Sequence, residues 1–369
     1  MPFTEETPLD LITLGWNGQL SNLFSSIAAD GEIPGRVTEA QRDLCTVACD
    51  AGELLAEVSG RFRLLAGSRA DFPAVGDWVA IAPRPAEGRA TIRAILPRST
   101  TFVRKTALSA ADAREKAEEQ VVAANIDIAL IVMGLDHDFN VRRLERYLTL
   151  AWGCGTQPVV VLNKADLCDQ LPERLAETEA VAVGVPVLMT SAQDGSGVQA
   201  LLAHLPRGKT AALLGSSGVG KSTLTNRLLG VEAMATGAVR DDDQRGRHTT
   251  THREMVLLPN GALLVDNPGM RQVGLWGDEE DVNDAFSDVA ALAASCRFSD
   301  CRHGAEPGCA VRAALGDGSL DSARYESWRK LQRELAFLAR RDDVRAQAAQ
   351  KQMLKNRARS MRGFQKGHR

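Results

Sequence analysis

The run from Gly215 to Ser222 has the spacing G-x-x-x-x-G-K-S, which is typical of loops that bind phosphate. Its glycines allow a tight turn whose backbone N–H groups face an anion, and the following helix N-terminus adds positive charge. We expect Lys221 to reach the β- and γ-phosphates and Ser222 to offer its hydroxyl to Mg²⁺. A glycine-rich turn that binds nothing is the alternative. The predicted phosphate contacts are Gly215, Ser216, Ser217, Gly218, Val219, Gly220, Lys221, Ser222 and Thr223.

A second motif, Asn163-Lys164-Ala165-Asp166, predicts which base is bound. The Asp166 carboxylate would accept hydrogen bonds from guanine N1–H and the exocyclic amine, whereas adenine lacks this pair of donors. A pocket built on such bonds rejects the wrong base by roughly 10⁴-fold, because buried polar groups are left unpaired. GTP is therefore favoured over ATP, and a P-loop ATPase or kinase is disfavoured. Ser191 and Ala192 fit a second turn from which a backbone N–H would reach the guanine carbonyl oxygen.

Two further segments match the switch regions that sense a γ-phosphate. Thr249-Thr250-Thr251 lies in a polar stretch, and we favour Thr250 as a second Mg²⁺ ligand. In Asp266-Asn267-Pro268-Gly269, the acid would lie near the metal and the Gly269 N–H at the phosphate. A β-prone polar loop without a switch role is the alternative for the threonines.

Near the C-terminus, Cys296, Cys301, His303 and Cys309 follow the pattern C-x₄-C-x-H-x₅-C. Three thiolates and one imidazole complete a tetrahedral Zn²⁺ site with no open position, so we expect one structural rather than catalytic zinc. Free cysteines without a metal are the alternative. The total of seven cysteines is odd, which argues against a disulfide framework.

These motifs need elements to position them, and the strand and helix patterns of residues 106–276 supply these elements. Apolar runs predict strands at Ile126–Met133, Pro158–Leu162, Pro186–Thr190, Ala211–Leu214 and Ala262–Val265. Helical spacing at Val141–Trp152, Leu171–Val181 and Ser222–Leu229 alternates with them. Such alternation predicts a doubly wound α/β sheet with its ligand at the carboxyl ends of the strands.

Before this region, short β-like runs separated by glycines predict a five-stranded OB-like barrel at about residues 35–105. It would either bind nucleic acid or only pack on its neighbours. The first thirty residues carry no motif. The predicted barrel strands are Leu44–Ala48, Leu54–Val58, Arg61–Leu65, Asp77–Ile81 and Ala90–Leu96.

We expect three regions in the chain. Residues 1–105 contain the N-terminal extension and barrel, 106–276 the nucleotide domain, and 277–369 the zinc site and a helix at Tyr325–Leu338.

The order of the motifs is unusual, because Asp166 and Ser191 precede Gly215. A circular permutation preserves a pocket that depends on where strands lie in space. With the barrel, the run Gly246 to His252 and the Cys/His pattern, the chain resembles the circularly permuted, ribosome small-subunit-dependent GTPase A family over nearly its whole length. This resemblance implies a GTPase of late small (30S) subunit maturation, with hydrolysis stimulated by that subunit, and it supports zinc at the four positions.

Catalysis has a gap at Met270, where many GTPases have a glutamine that orients the attacking water. A thioether does not orient water, so we expect slow intrinsic hydrolysis. The missing group would be His248, Arg245 or Arg247, or would come from the ribosome. We favour His248 because it adjoins the threonines, and a solvent-exposed loop histidine is the alternative.

Charge and composition suggest partners. The net charge is -3, but the segment Val344–Arg369 contains basic and no acidic residues, so we expect it to bind rRNA or else to be a disordered, solubilising tail.

No apolar run approaches the roughly 20 residues of a membrane span, and no signal peptide pattern is present, so we expect a cytoplasmic protein, which we take to be a monomer. The alternative function is a nucleotide-gated RNA-binding module whose hydrolysis is incidental.

Overall fold

A computed structural model of the chain describes residues 10–41, 44–105, 119–230, 254–266, 282–283, 285–304 and 306–336. The chain divides into two compact units, residues 1–276 and 277–369. The strands are β1 Ile33–Ala40, β2 Cys45–Cys49, β3 Gly52–Val58, β4 Trp78–Arg84, β5 Arg89–Ile95, β6 Thr101–Lys105, β7 Glu119–Ala124, β8 Ile128–Gly134, β9 Gln157–Asn163, β10 Val187–Met189, β11 Thr210–Leu214, β12 Glu254–Leu257 and β13 Leu263–Asp266. The helices are α1 Gly18–Ile27, α2 Gly60–Leu65, α3 Val141–Gly153, α4 Leu171–Glu179, α5 Val198–Ala203, α6 Lys221–Leu229, α7 Ser287–Ala294 and α8 Ala310–Asp317. Residues 322–336 are also helical.

Strands β1 to β5 form the predicted N-terminal barrel. The sheet runs β1-β2-β3-β5-β4, and the pairing of β4 with β1 closes it. Its interior is filled by apolar side chains that alternate along the strands, among them Val37, Val47, Leu54, Ile81 and Ile92, all at most 3% exposed. The prediction of a five-stranded barrel is confirmed.

One predicted barrel strand, Arg61–Leu65, is wrong, because these residues form helix α2. Ser59 begins the helix: its hydroxyl accepts a hydrogen bond from the Phe62 N–H at 3.1 Å, which satisfies one of the free donors at the helix start. Leu64 and Leu65 are 85% and 74% exposed, so their apolar character does not mark a buried strand face. The fifth strand is β1 instead, which the sequence patterns did not predict.

Strands β10-β9-β8-β11-β13-β12 form the sheet of the nucleotide domain, parallel except for β12. Every residue of β8 is buried, and its side chains alternate between two cores. Ile131 belongs to the core that contains Leu148 of α3, whereas Leu130 belongs to the core that contains Leu224 of α6. Helices therefore cover both faces, and the predicted doubly wound sheet is confirmed. A pairing between β1 and β12 joins this sheet to the barrel.

The N-terminal segment, which carries no sequence motif, packs where the barrel meets the parallel sheet. Trp16 lies edge-on to Trp78 of β4, with ring centroids 4.9 Å apart. Arg36 of β1 is buried beside Trp78 and donates hydrogen bonds to the carbonyl oxygens of Leu14 and Asn125. Burial lowers the pKa of Arg36 to about 10, against the opposing charges of Asp127 and Asp77. A buried cation paired with these carbonyls ties the segment, the barrel and the start of β8 together.

The second unit contains α7, α8 and the helix at residues 322–336. Arg324 donates two hydrogen bonds to the Asp288 carboxylate, from Nε at 2.7 Å and from the terminal nitrogen at 2.6 Å. Burial tends to raise the pKa of Asp288, but the hydrogen bonds from Arg324 outweigh it and the pKa lies below its usual value. The basic stretch from Val344 lies outside the described residues. No helix in the described ranges is both long and apolar enough to cross a bilayer.

Candidate nucleotide pocket and Cys/His cluster

The loop Gly215–Gly220 connects β11 to α6 at the carboxyl edge of the parallel sheet. Gly215 lies against β8, where an added Cβ would be 2.3 Å from the Val132 carbonyl oxygen. Gly220 has a φ of +91°, and a Cβ there would be 2.4 Å from Asn163 Nδ2. Both positions therefore require glycine, and the loop approaches β8 and β9 more closely than any other residue would permit.

Lys221 bends back over this loop from the first turn of α6. Its Nζ donates hydrogen bonds to the carbonyl oxygens of Gly215, at 2.9 Å, and Ser216. Ser222 and Thr223 follow it in the first helical turn and are half-buried. The loop therefore carries a cation, and two hydroxyl residues follow at the N-terminus of α6, which is the set of groups that phosphate-binding loops use.

Asn163, at the end of β9, connects three of the predicted nucleotide motifs. Its side chain is 1% exposed. Nδ2 donates to the Val219 carbonyl oxygen of the phosphate loop at 2.8 Å. Oδ1 accepts hydrogen bonds from the Ala192 N–H at 3.0 Å and from the Thr190 hydroxyl at 3.2 Å. Residues far apart in sequence and in rotated order therefore meet around one buried amide.

The other residues of the base motif lie at the surface beside Asn163. Lys164 adopts a left-handed φ of +64° and donates from Nζ to the Asp136 carboxylate at 2.6 Å. Asp166, the predicted guanine contact, is exposed. Asp136 follows β8 and belongs to no nucleotide motif, so its place after a buried strand is the one sequence signal that points to it.

The second base turn is held by the amide of Asn163 and by the phosphate-loop helix. The N–H groups of Ser191 and Ala192 donate to Ser196 O and Asn163 Oδ1. Arg227, near the end of α6, donates to the carbonyl oxygens of Ala192, at 2.9 Å, and Gln193. The role of Ala192 as a donor to guanine therefore stays a prediction, because a base would have to share or replace the bond to Asn163. The sequence patterns missed Arg227, which lies in a helix with no motif of its own beyond Thr223.

Several predicted residues lie outside the described ranges. They are His248, Thr250, Gly269, the alternative catalytic residues Arg245 and Arg247, and Met270, which stands where many GTPases have a glutamine. Asp266 is described only as the last residue of strand β13. The switch and catalytic roles of these residues stay predictions.

In the second unit, Cys296, Cys301, His303 and Cys309 form a compact cluster. Their ligand atoms all lie within 4.8 Å of one another. The Sγ atoms of Cys296 and Cys309 are 3.8 Å apart, and His303 Nδ1 is 3.5 Å from each. A tetrahedron with Zn–S bonds of about 2.3 Å has S···S edges of about 3.8 Å, so the donors and their spacing fit zinc. The rings of Tyr325 and Trp328 pack beside the His303 imidazole.

Comparison with known proteins gives two family matches. The family model described as RsgA GTPase matches residues 95–276. A model described as ABC transporter matches residues 198–360, a range that includes the same phosphate loop.

Similar proteins match over most of the chain. The small ribosomal subunit biogenesis GTPase RsgA of Opitutus terrae is 48% identical over 91% of this chain and 92% of its own. The protein of the same name from Syntrophotalea carbinolica is 44% identical over 98% and 99%. The crystal structure of YjeQ from Thermotoga maritima is similar with a TM-score of 0.62 and 27% identity, over 83% of this chain and 99% of that one. YloQ, described as a circularly permuted GTPase, shares the fold with a TM-score of 0.59 and 23% identity, over 83% and 96%.

Proposed function

The chain belongs to the RsgA GTPase family, and from this premise we propose that it binds GTP and GDP and hydrolyses GTP in the biogenesis of the small ribosomal subunit. The observation that carries the proposal is the buried Asn163 amide, which joins the phosphate loop to the base-selecting segments. A pocket that holds both ends of a nucleotide at one sheet edge is what a GTPase requires.

We propose the following roles within this pocket. Asp166, which follows Asn163 and Lys164, accepts hydrogen bonds from the N1–H and the exocyclic amine of guanine. The turn Ser191–Ala192 donates a backbone N–H to the base. Lys221 and the loop N–H groups bind the β- and γ-phosphates. Asp266 and Gly269 face the metal and the γ-phosphate. The full phosphate set is Gly215, Ser216, Ser217, Gly218, Val219, Gly220, Lys221, Ser222 and Thr223.

Mg²⁺ would be held by the hydroxyls of Ser222 and Thr250, and it would neutralise charge on the β- and γ-phosphates. The water-orienting position after Gly269 is Met270, so the chain alone has a weak means of activating water. We infer that His248, beside the threonines, supplies this function once the small subunit is bound.

The remaining parts of the chain are assigned by the same proposal. The three regions are 1–105, 106–276 and 277–369. Cys296, Cys301, His303 and Cys309 hold one structural zinc in the third, as their fit to a tetrahedron supports. The basic stretch from Val344 contacts rRNA. The protein acts in the cytoplasm as a monomer.

The test is GTP turnover by the full chain with and without purified small ribosomal subunits. A positioned histidine that assists proton transfer is worth about 10² to 10⁴ in rate, so we expect stimulation of at least roughly a hundredfold. The Lys221→Ala chain is the matched control and should show neither basal nor stimulated turnover. Equal turnover with and without subunits would instead support a nucleotide-gated RNA-binding module whose hydrolysis is incidental.

A further inference from the structure

Lys164 forms a short ion pair with Asp136, a residue that belongs to none of the nucleotide motifs. Nζ and Oδ2 are 2.6 Å apart, and the two side chains are 25% and 16% exposed. Burial tends to raise the pKa of Asp136, but hydrogen bonds from Lys164 and from the Asp138 N–H outweigh it, so the pKa lies below its usual value. The carboxylate is therefore charged at neutral pH and is a steady partner for the ammonium.

The sheet register explains why these two residues meet. Gly134, the last residue of β8, lies beside Asn163, the last residue of β9. Lys164 and Asp136 follow within two residues of these ends. A Cβ at position 134 would be 2.7 Å from Asp136 Oδ1, so glycine allows the carboxylate to fold back over the strand end.

The backbone of Lys164 is also constrained. Its φ of +64° lies in the left-handed region, which a residue with a Cβ adopts only when its surroundings hold it there. Asn163 fixes the chain on one side through its buried amide, and the ion pair fixes the far end of the Lys164 side chain. His137 is also 3.9 Å from Asp136, but its side chain is 95% exposed, so Lys164 is the closer partner.

We propose that Asp136 is a positioning residue for guanine, acting through Lys164. The inference rests on the proposed function. Lys164 lies two residues before Asp166, and its four methylene groups lie between a constrained backbone and a paired ammonium. These methylene groups form a preorganised apolar surface on which the base packs. Without Asp136 this flexible side chain has to be immobilised during binding, which weakens affinity by up to about tenfold.

The test is calorimetric titration of GDP, ADP and pyrophosphate into the full chain and its variants. We expect Asp136→Asn to bind GDP about tenfold more weakly than the unmodified chain. Its affinity for pyrophosphate should be unchanged, because that ligand contacts only the phosphate loop. Lys164→Ala should also weaken GDP, and the double variant Asp136→Asn with Lys164→Ala should bind GDP as Lys164→Ala alone does.

Asp127→Asn is the matched control. Asp127 forms the same kind of pair with Lys209, with Nζ 2.7 Å from Oδ1, at the opposite end of β8. It should leave GDP affinity unchanged. Unaltered GDP binding by Asp136→Asn, an equal loss for pyrophosphate, or additive losses in the double variant would each overturn the role of Asp136. Failure of the unmodified chain to prefer GDP over ADP would overturn the proposed function itself, and this inference with it.

Discussion

The nucleotide pocket and the Cys/His cluster are both small groups of polar residues, but they are held in place by different means. The pocket lies on the edge of a parallel sheet whose central strand β8 is buried along its whole length. Asn163, Arg227 and Asp136 connect its loops by hydrogen bonds within the protein. The cluster lies in loops between α7 and α8, where three thiols and an imidazole face one another.

From this difference we infer that the pocket is preformed, whereas the cluster depends on a metal for its structure. The pocket residues satisfy each other, so the sheet holds them without a nucleotide. In the cluster, the sulfurs of Cys296 and Cys309 each lie 3.5 Å from the His303 imidazole nitrogen. Thiolates and imidazoles are the ligands that zinc prefers, so a metal would hold these side chains together. We therefore expect removal of the metal to unfold the second unit. Removal of the nucleotide should leave the pocket intact.

The largest effect should follow from breaking the cluster. Cys296→Ser, or removal of metal by a chelator, should unfold the helices of the second unit, because structural zinc contributes on the order of 10 kcal/mol to such small units. Zinc content together with limited proteolysis measures this. Cys168→Ser is the control, since Cys168 is a half-buried free cysteine outside the cluster. A folded, protease-resistant C-terminal unit without metal would show that the cluster is not structural.

Lys221→Ala should have the next largest effect, on ligand affinity rather than on folding. If the ammonium binds the β-phosphate, as proposed, its loss should weaken GDP binding by about 10²-fold, or roughly 3 kcal/mol. Calorimetry measures the affinity, and the melting temperature should change little. Lys209→Ala, which removes a lysine at the opposite edge of the sheet, should bind GDP normally. Retained affinity in Lys221→Ala would mean that the loop does not bind phosphate.

Asn163→Ala tests whether the pocket is preformed. The change leaves the Ala192 N–H and the Val219 carbonyl buried without their partner, so we expect a loss of about 2–3 kcal/mol in the free energy of unfolding. GDP affinity should fall as well. Chemical denaturation measures the stability of the nucleotide-free chain. A variant as stable as the unmodified chain would contradict the view that this amide holds the motifs together.

The sequence predicted the parts of the pocket that depend on local residue types. Glycine spacing, the tetrapeptide Asn163–Asp166 and the buried apolar strands are each encoded in a short stretch, and these elements are where the patterns placed them. The Cys/His spacing likewise predicted a cluster. Local patterns work where one segment supplies both the residues and the element that carries them.

The residues that the sequence did not reveal act across long separations. Asp136 meets Lys164, and Arg227 meets Ala192, only because neighbouring strand ends and a helix bring them together. Arg36 is an ordinary charged residue in sequence but a buried cation in the fold. The strand prediction for Arg61–Leu65 is wrong because the apolar residues of this segment do not distinguish an exposed helix from a strand of the barrel.

Arg227→Ala should give the smallest effect of the set. Arg227 is partly exposed and bonds two carbonyl oxygens of the base turn, so its loss should cost about 1 kcal/mol of GDP binding, roughly a fivefold change. Stopped-flow release of GDP measures it, and we expect faster release. Arg227→Lys keeps the charge but loses the planar set of guanidinium donors. Its rate of GDP release should lie between those of the unmodified chain and Arg227→Ala. Unchanged release in Arg227→Ala would show that the turn is held by Asn163 alone.

The central claim is that rotated motifs assemble one guanine-specific pocket. The most direct measurement is parallel titration of GDP and ADP into the full chain and into Asp166→Ala. We predict that the unmodified chain binds GDP at least roughly 10⁴-fold more tightly than ADP, and that Asp166→Ala loses most of this preference. Equal affinity for GDP and ADP in the unmodified chain, or an unchanged preference in Asp166→Ala, would contradict the claim.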